Sequence, residues 1–430
     1  MGLHDTVIPK SEEVSMAIGP APGTARSPAL VEGSGYLLQL VRNGDAGTIS
    51  ELAAAMGVSR STVIQRLGFL MGHGLVESEL ATARGSRGRP AAVTHFNAGS
   101  AIVLGAQIGV TGCRLATSNL SGELLSDRLI NVDLSGGPVS LLAGLEGSFD
   151  DMIFELGCTA ADVAGVGVGI PSTVELQNYA RGLGLDEAGW DRDYFRRRLW
   201  DHYDSPVFVD LDVNLLALAE RRKSWPEVEV FVCVKLGTVI DAAIVVNGLP
   251  VRGANSLAGE LGHIKVSGST TLCSCGGIGC LDAVASGRAL VKQLAAAGFD
   301  VHHISDVIGL AHLGQPEALL AIRNAGRHIG EALSSVVNLL NPAVIATWGY
   351  LTEAETSLFA GMRESLYQTA LPESSEQLQL VRASLGDLAG VRGAALRVID
   401  ELLEPSAVDR MIVAQSWSGA WLDSAARAAE

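Results

Sequence analysis

Four stretches fix the fold class of this chain more firmly than any other feature: AIVLGAQIGV from Ala101, VAGVGVGI from Val163, PVFVDLDV from Pro206 and VFVCVKLG from Val230. Runs of aliphatic and β-branched residues this continuous belong to strands buried on both faces. Such strands need helices over them. DYFRRRLWDHY and LLALAERRK supply candidates, each charged on one side and apolar on the other. The first strands, AIVLGAQIGV, CRLATSN and SGELLSDRLI, follow one another at hairpin spacing, and helices intervene only afterwards. This order predicts an α/β body with a mixed sheet. Fifty glycines and few aromatics suit helices packed closely on sheets. From about Arg288 the pattern is mainly helical until PAVIATWG, one more buried strand. A last helix is expected over 389–403. The segment 404–430, with two tryptophans in SWSGAWLD, reads as a tail.

The first hundred residues have a different texture. Residues 1–26, with Pro9, Pro20 and Pro22, show no hydrophobic period and are expected to be a disordered tail. Helical spacing begins at Ala29 with Tyr36, Leu37, Leu40 and Val41, and Gly44 ends it. In TISELAAAMGVSRSTVIQRLGFLMGHGLVES, Ser50 is expected to cap a short helix to Met56. Gly57 then turns the chain, and Ser59 caps a second helix to about Gly72. LVES and AAVTHF read as a hairpin. The order helix, helix, turn, helix, hairpin predicts a winged helix-turn-helix over 27–98. In its second turn-flanking helix, Val63, Leu67 and Leu70 make the apolar stripe. Arg60, Ser61, Thr62, Gln65 and Arg66 are the candidate contacts to double-stranded DNA, because short polar and guanidinium side chains pair with base edges in the major groove. The loop RGSRGRP offers Arg84, Arg87 and Arg89 as a wing for the minor groove.

Charge supports this division. The net charge is −16, yet in residues 1–98 eight Lys/Arg balance eight Asp/Glu, so the whole excess lies in the body. Residues 59–90 hold five arginines against two glutamates. A neutral-to-basic head on an acidic body is modular. No apolar run is long enough to span a bilayer, and the first thirty residues lack a charged-then-apolar leader, so a cytoplasmic protein is expected. Thiols there stay reduced. Cys113, Cys158 and Cys233 sit in apolar surroundings and read as inert core residues. Cys273, Cys275 and Cys280 in CSCGGIGC, with His263 ten residues upstream, instead offer the four soft ligands of a closed zinc site.

AGELGH, CSCGGIGC and the following Asp282 together resemble the ROK family of repressors, open reading frames and sugar kinases. The resemblance runs from Ala29 to about Leu402, and the winged helix is similar to that of the family's repressor branch. It implies an actin-like body of two lobes, 99–213 (completed by the helix 389–403) and 214–388 with the zinc loop. It also implies a homodimer or tetramer. The family's catalytic aspartate lies in a segment resembling E-N-D-A-N, here Asp210-Leu211-Asp212-Val213-Asn214, so Asp212 takes the base position. Glu260, His263 and Asp282 match residues that hold the sugar. Leu211 replaces a sugar-binding asparagine, and a missing partner for a hydroxyl costs about 1–3 kcal/mol.

The phosphate elements depart further. The family turn resembling D-x-G-G-T-K is Gln107-Ile108-Gly109-Val110-Thr111-Gly112. A second, resembling G-T-G-I-G, is Gly237-Thr238-Val239-Ile240-Asp241, which sets an anion where phosphates would lie, a repulsion of roughly 3–4 kcal/mol per charge pair. Trp348 stands before Gly349 where two glycines are usual, and its indole is expected to fill nucleotide space. The resemblance so read implies a regulator, most simply a repressor, with an effector-binding site of Asp212, Glu260, His263 and Asp282 for a sugar or sugar phosphate, and no kinase activity. The competing readings are an active ATP-dependent sugar kinase with a DNA-binding head, and an interaction protein that senses no small molecule.

Overall fold

The computed structural model describes residues 28–80, 92–109, 112–131, 136–171 and 192–421. They form two compact units, one of the described residues between 28 and 97 with 403–421, and one of those between 98 and 402.

The first unit contains α1 (Pro28–Val31), α2 (Ser34–Asn43), α3 (Ile49–Met56) and α4 (Arg60–Gly72), then the antiparallel pair β1 (Val76–Leu80) and β2 (Ala92–Phe96). Leu37, Leu38, Leu52, Val63, Leu67 and Leu70 make its core. The cap of α3 is Thr48 rather than the expected Ser50. Its hydroxyl accepts from Glu51 N, and the Glu51 carboxylate accepts from Thr48 N at 2.9 Å, closing a capping box. Ser50 would have put Ala53 at the third helical position, with no side chain to complete the box. Ser59 caps α4 as expected, accepting from Thr62 N.

The second unit holds two five-stranded sheets. One contains β3 (Ile102–Gly109), β4 (Gly112–Asn119), β5 (Leu124–Ile130), β6 (Val163–Ile170) and β7 (Val207–Leu211), in the order β5-β4-β3-β6-β7. Helices α5 (Gly137–Glu155) and α6 (Arg192–Tyr203) accompany it, and α7 (Asp212–Ser224) starts where β7 ends. The other sheet contains β8 (Val230–Leu236), β9 (Ile240–Val246), β10 (Leu249–Pro250), β11 (Val344–Trp348) and β12 (Gln379–Arg382), in the order β10-β9-β8-β11-β12. In each sheet three strands run as an antiparallel meander and two more add in parallel. The two sheets thus repeat one topology.

The helices of the second half are α8 (Leu281–Ala285), α9 (Gly287–Ala296), α10 (Ile304–His312), α11 (Pro316–Leu340), α12 (Glu355–Thr369) and α13 (Pro372–Ser375). Helix α14 (Ala389–Leu402) returns to the first sheet and packs on β3 and β6. The segment expected to be a tail from residue 404 is different. It forms α15 (Pro405–Ala414), and its buried Ala407, Val408, Met411 and Ile412 pack on α2 in the first unit. Its apolar stripe needs a partner, and that partner lies 370 residues away in sequence, where local pattern gives no sign of it.

Candidate functional site

Three structural features bear on function. The first is the cysteine loop. One ligand atom each from His263, Cys273, Cys275 and Cys280 lies within 4.8 Å of all the others. Cys275 Sγ and Cys280 Sγ are 3.7 Å apart, and Cys273 Sγ is 3.9 Å from His263 Nδ1. A tetrahedral ion with ~2.3 Å bonds to sulfur holds its thiolates about 3.8 Å apart. The donor set therefore fits a four-coordinate metal ion. Lys265 Nζ donates to Cys280 Sγ at 2.9 Å and offsets thiolate charge. The cysteines outside the loop are different: burial pushes the Cys113 thiol up to about 12, and Cys233 is fully buried. Cys158 is half-buried, less enclosed than a core residue.

The second feature is a nest of carboxylates. Asp212 opens α7 and is buried. Lys235 Nζ on β8 donates to Asp212 Oδ2 at 2.5 Å, with the two side chains only 12% and 2% exposed. The other oxygen, Oδ1, is buried without a partner, and so is Glu260 Oε1. Glu260 Oε2 lies 3.6 Å from His263 Nε2. One imidazole thus faces the cysteines through Nδ1 and the Glu260 acid through Nε2, so an ion in the loop would also orient that acid. Burial raises the Glu260 carboxyl, with His263 opposing. Two orphaned carboxylate oxygens suit the hydroxyl donors of a polyol.

Asp282 is placed otherwise than expected. Its Oδ1 accepts from Ile240 N at 2.9 Å and its Oδ2 from Arg288 at 3.0 Å, so both oxygens serve the scaffold. Asp241 also departs from expectation. It is buried, and burial, with Glu260 and Asp212 nearby, pushes its carboxyl well above the usual range against the pull of Lys235. At the turn that follows β8, Gly287 N and Arg288 N, at the start of α9, donate to the Gly237 and Thr238 carbonyls.

Trp348 borders a cavity. Its Nε1 donates to the Gly386 carbonyl at 2.8 Å, and the indole lines a cavity of about 400 Å³ with Gln107, Arg114, Gly349, Tyr350 and Arg382. Val110 and Thr111 of the first turn lie outside the described residues.

Sequence reasoning missed Lys235, hidden in an apolar strand. Its signal was there: a lone cation in VFVCVKL needs a buried counter-charge. It also missed Arg252, whose Nε and Nη2 lie 3.0 and 2.7 Å from Asp210 Oδ2. Asp210 further accepts from Leu211 N and Asn214 Nδ2.

The third feature is α4. Arg60, Ser61 and Gln65 are exposed, and Thr62 is half-buried beside its Ser59 cap. Ile64, unremarked in the sequence, is also exposed on this helix. Arg66 is not on the open face: its Nε is buried, and its guanidinium packs over Gly33. Arg84, Arg87 and Arg89 of the wing lie outside the described residues.

Comparison with known proteins agrees with this anatomy. The ROK family profile matches residues 103–401, and an IclR helix-turn-helix domain profile matches residues 36–80. A putative xylose repressor from a Caldicellulosiruptor species is 26% identical over 87% of this chain and 98% of its own. A glucokinase from Halalkalibacterium halodurans is 28% identical over 67% of this chain and 92% of its own. Among solved structures, a ROK family transcriptional regulator described as a homolog of the Escherichia coli MLC protein superposes with a TM-score of 0.72 at 24% identity, over 90% of this chain and all of its own. A profile covering well over half the length settles the lineage: the chain belongs to the ROK family.

Proposed function

We propose that this protein is a DNA-binding transcriptional repressor that responds to a sugar and has no kinase activity. One observation carries the reading. The acids suited to hydroxyl groups persist with orphaned oxygens, while the base-position Asp212 is held by Lys235 and the carbonyls of the second phosphate turn accept from amides at the start of α9. Phosphoryl transfer depends on positioning and charge neutralisation of the phosphates. A pocket that binds hydroxyls without that apparatus senses rather than transforms. Relatives named for xylose and N-acetylglucosamine repression support a sugar as the effector class.

In this reading Arg60, Ser61, Thr62 and Gln65 read base edges and Ile64 meets a thymine methyl, while Arg87 and Arg89 hold the backbone. Asp212, Glu260 and His263 bind the effector, with Asp282 bracing the loop. His263, Cys273, Cys275 and Cys280 hold a structural Zn²⁺. The protein acts in the cytoplasm as a homodimer on a roughly palindromic operator. Effector binding changes operator affinity only to the degree that it favours one of the two states.

A genome-wide footprint of the bound protein supplies the operator and, through neighbouring genes, the sugar to test. Fluorescence anisotropy on that operator should then show release by that sugar. ADP formed from ATP and hexose in a manner abolished by Asp212→Ala would replace this reading with the kinase one.

A further inference from the structure

Helix α2 opens without a cap of its own. Its N-cap is Gly33, left-handed at φ 86°, with no side chain to serve the first amides of the helix. Helices α3 and α4 meet the same need locally, through Thr48 and Ser59. For α2 the acceptor comes from the other end of the chain. Asp409 on α15 accepts from Gly33 N through Oδ2 and from Gly35 N through Oδ1, both at 2.8 Å. A carboxylate there also meets the positive end of the α2 dipole. Glycine at position 35 lets the two helices come this close: a Cβ on it would stand 2.0 Å from the Pro405 carbonyl oxygen.

The same carboxylate lies beside the inward cation of α4. The Arg66 guanidinium packs over Gly33, within 3.0 Å of where a Cβ would be, so a side chain at position 33 would displace it. Arg66 Nε is buried without a hydrogen-bond partner. A guanidinium keeps its charge in a protein, and a buried charge calls for an opposite one nearby. Asp409, bound to the same Gly33, supplies it. Burial raises the Asp409 carboxyl, while the amides of Gly35 and Gly33 and the charge of Arg66 pull it down. By helical spacing Arg66 borders the buried stripe of Val63, Leu67 and Leu70, whereas Arg60, Ser61 and Gln65 are exposed. What holds Arg66 therefore helps to set how α4 is turned about its axis. All of these contacts lie within the first compact unit.

We propose that Asp409 is a positioning residue for DNA reading: from α15 it caps α2 and holds Arg66, and so fixes α4 in the setting that presents Arg60, Ser61 and Gln65 to a duplex. The proposal rests on the reading of α4 as the base-contacting helix, and it adds α15 to the reader.

Two measurements on the full chain test it. The first is hydrogen exchange read by mass spectrometry, with no DNA present. Asp409→Ala should speed exchange by about 2- to 30-fold, the scale of a lost cap, in the first turn of α2 and also in α4. Asp409→Glu should restore most of the protection. In an Arg66→Met chain, Asp409→Ala should still speed α2 and add nothing in α4. Exchange in α4 that ignores Asp409→Ala, or that responds equally with and without Arg66, overturns the proposal. Should Asp409→Ala melt the head, Asp409→Asn keeps the volume, removes the charge and allows the same comparison. The second measurement is fluorescence anisotropy with a random-sequence duplex. Affinity should fall by a similar factor in Asp409→Ala and recover in Asp409→Glu. Unchanged affinity beside a loosened α4 overturns the role in reading. An unaltered chain that binds no duplex overturns the DNA-binding reading and this one with it, whereas an exchange pattern that misses α4 overturns this one alone.

Discussion

The body has two ends that its lineage uses for different chemistry, and they have diverged in different ways. At the hydroxyl end, Glu260 and Asp212 keep buried oxygens with no protein partner, and His263 ties one of them to the cysteine loop. At the end that matches the family's phosphate turns, two backbone donors at the start of α9 are already engaged. Gly287 N and Arg288 N bind carbonyls of the Gly237 turn, and Asp241 lies buried where its charged form is disfavoured. The comparison teaches that binding and catalysis are separable in this architecture. On the reading proposed above, polyol recognition would rest on a few oriented acceptors, whereas phosphoryl transfer needs several free donors at once.

The largest expected effect tests the rigid side of the hydroxyl end. Stripping the ion with a chelator, or Cys280→Ser, should lower the melting temperature on the order of 10 °C, since metal-binding free energy is folding free energy in such loops. Calorimetry before and after chelation checks it. Thiols that titrate freely in the untreated protein would show that no ion is held. Next comes Lys235→Met, which strands a buried carboxylate and should cost ~3–5 kcal/mol in urea unfolding. Restoration of stability by Asp212→Asn in the same chain would confirm the pairing, and additive losses would break it.

In the head the effects are smaller and discriminate between neighbours. Arg60→Ala should lose about 1–3 kcal/mol of operator discrimination. Arg66→Ala should lower head stability and weaken all sequences alike, and loss of base preference at one position would return Arg66 to the groove. Thr48→Ala should cost ~1 kcal/mol through the capping box. The effect at Asp241, where Lys235 offsets part of the burial cost, depends on pH. Its folded carboxyl is raised above the unfolded one, so it destabilises the fold as pH rises through that range and is neutral below the ordinary carboxylate range. Asp241→Asn should therefore raise the melting temperature at pH 8 and leave it unchanged at about pH 2.5. An equal gain at both would point to packing.

Much of this molecule was legible in the chain because its signals are local. The apolar runs gave β3, β6, β7 and β8, Ser59 gave the start of α4, and the spacing of three cysteines and His263 gave the loop. What escaped depends on distant partners. Lys235 looks like an anomaly in a strand until Asp212 is placed against it. Arg66 has the chemistry of a base contact, and only Gly33 and Asp409 reveal that it faces inward. Helix α15 has an amphipathic stripe too short to assert itself without α2. The Trp348 indole is held by the Gly386 carbonyl, a contact of 38 residues' separation.

The placement of α15 has a practical consequence. The head is built from both extremities of the described chain, so a fragment ending near residue 98 would lack the carboxylate that serves Gly33 and Gly35. Anyone grafting this reader onto a different sensor must transplant two separate pieces.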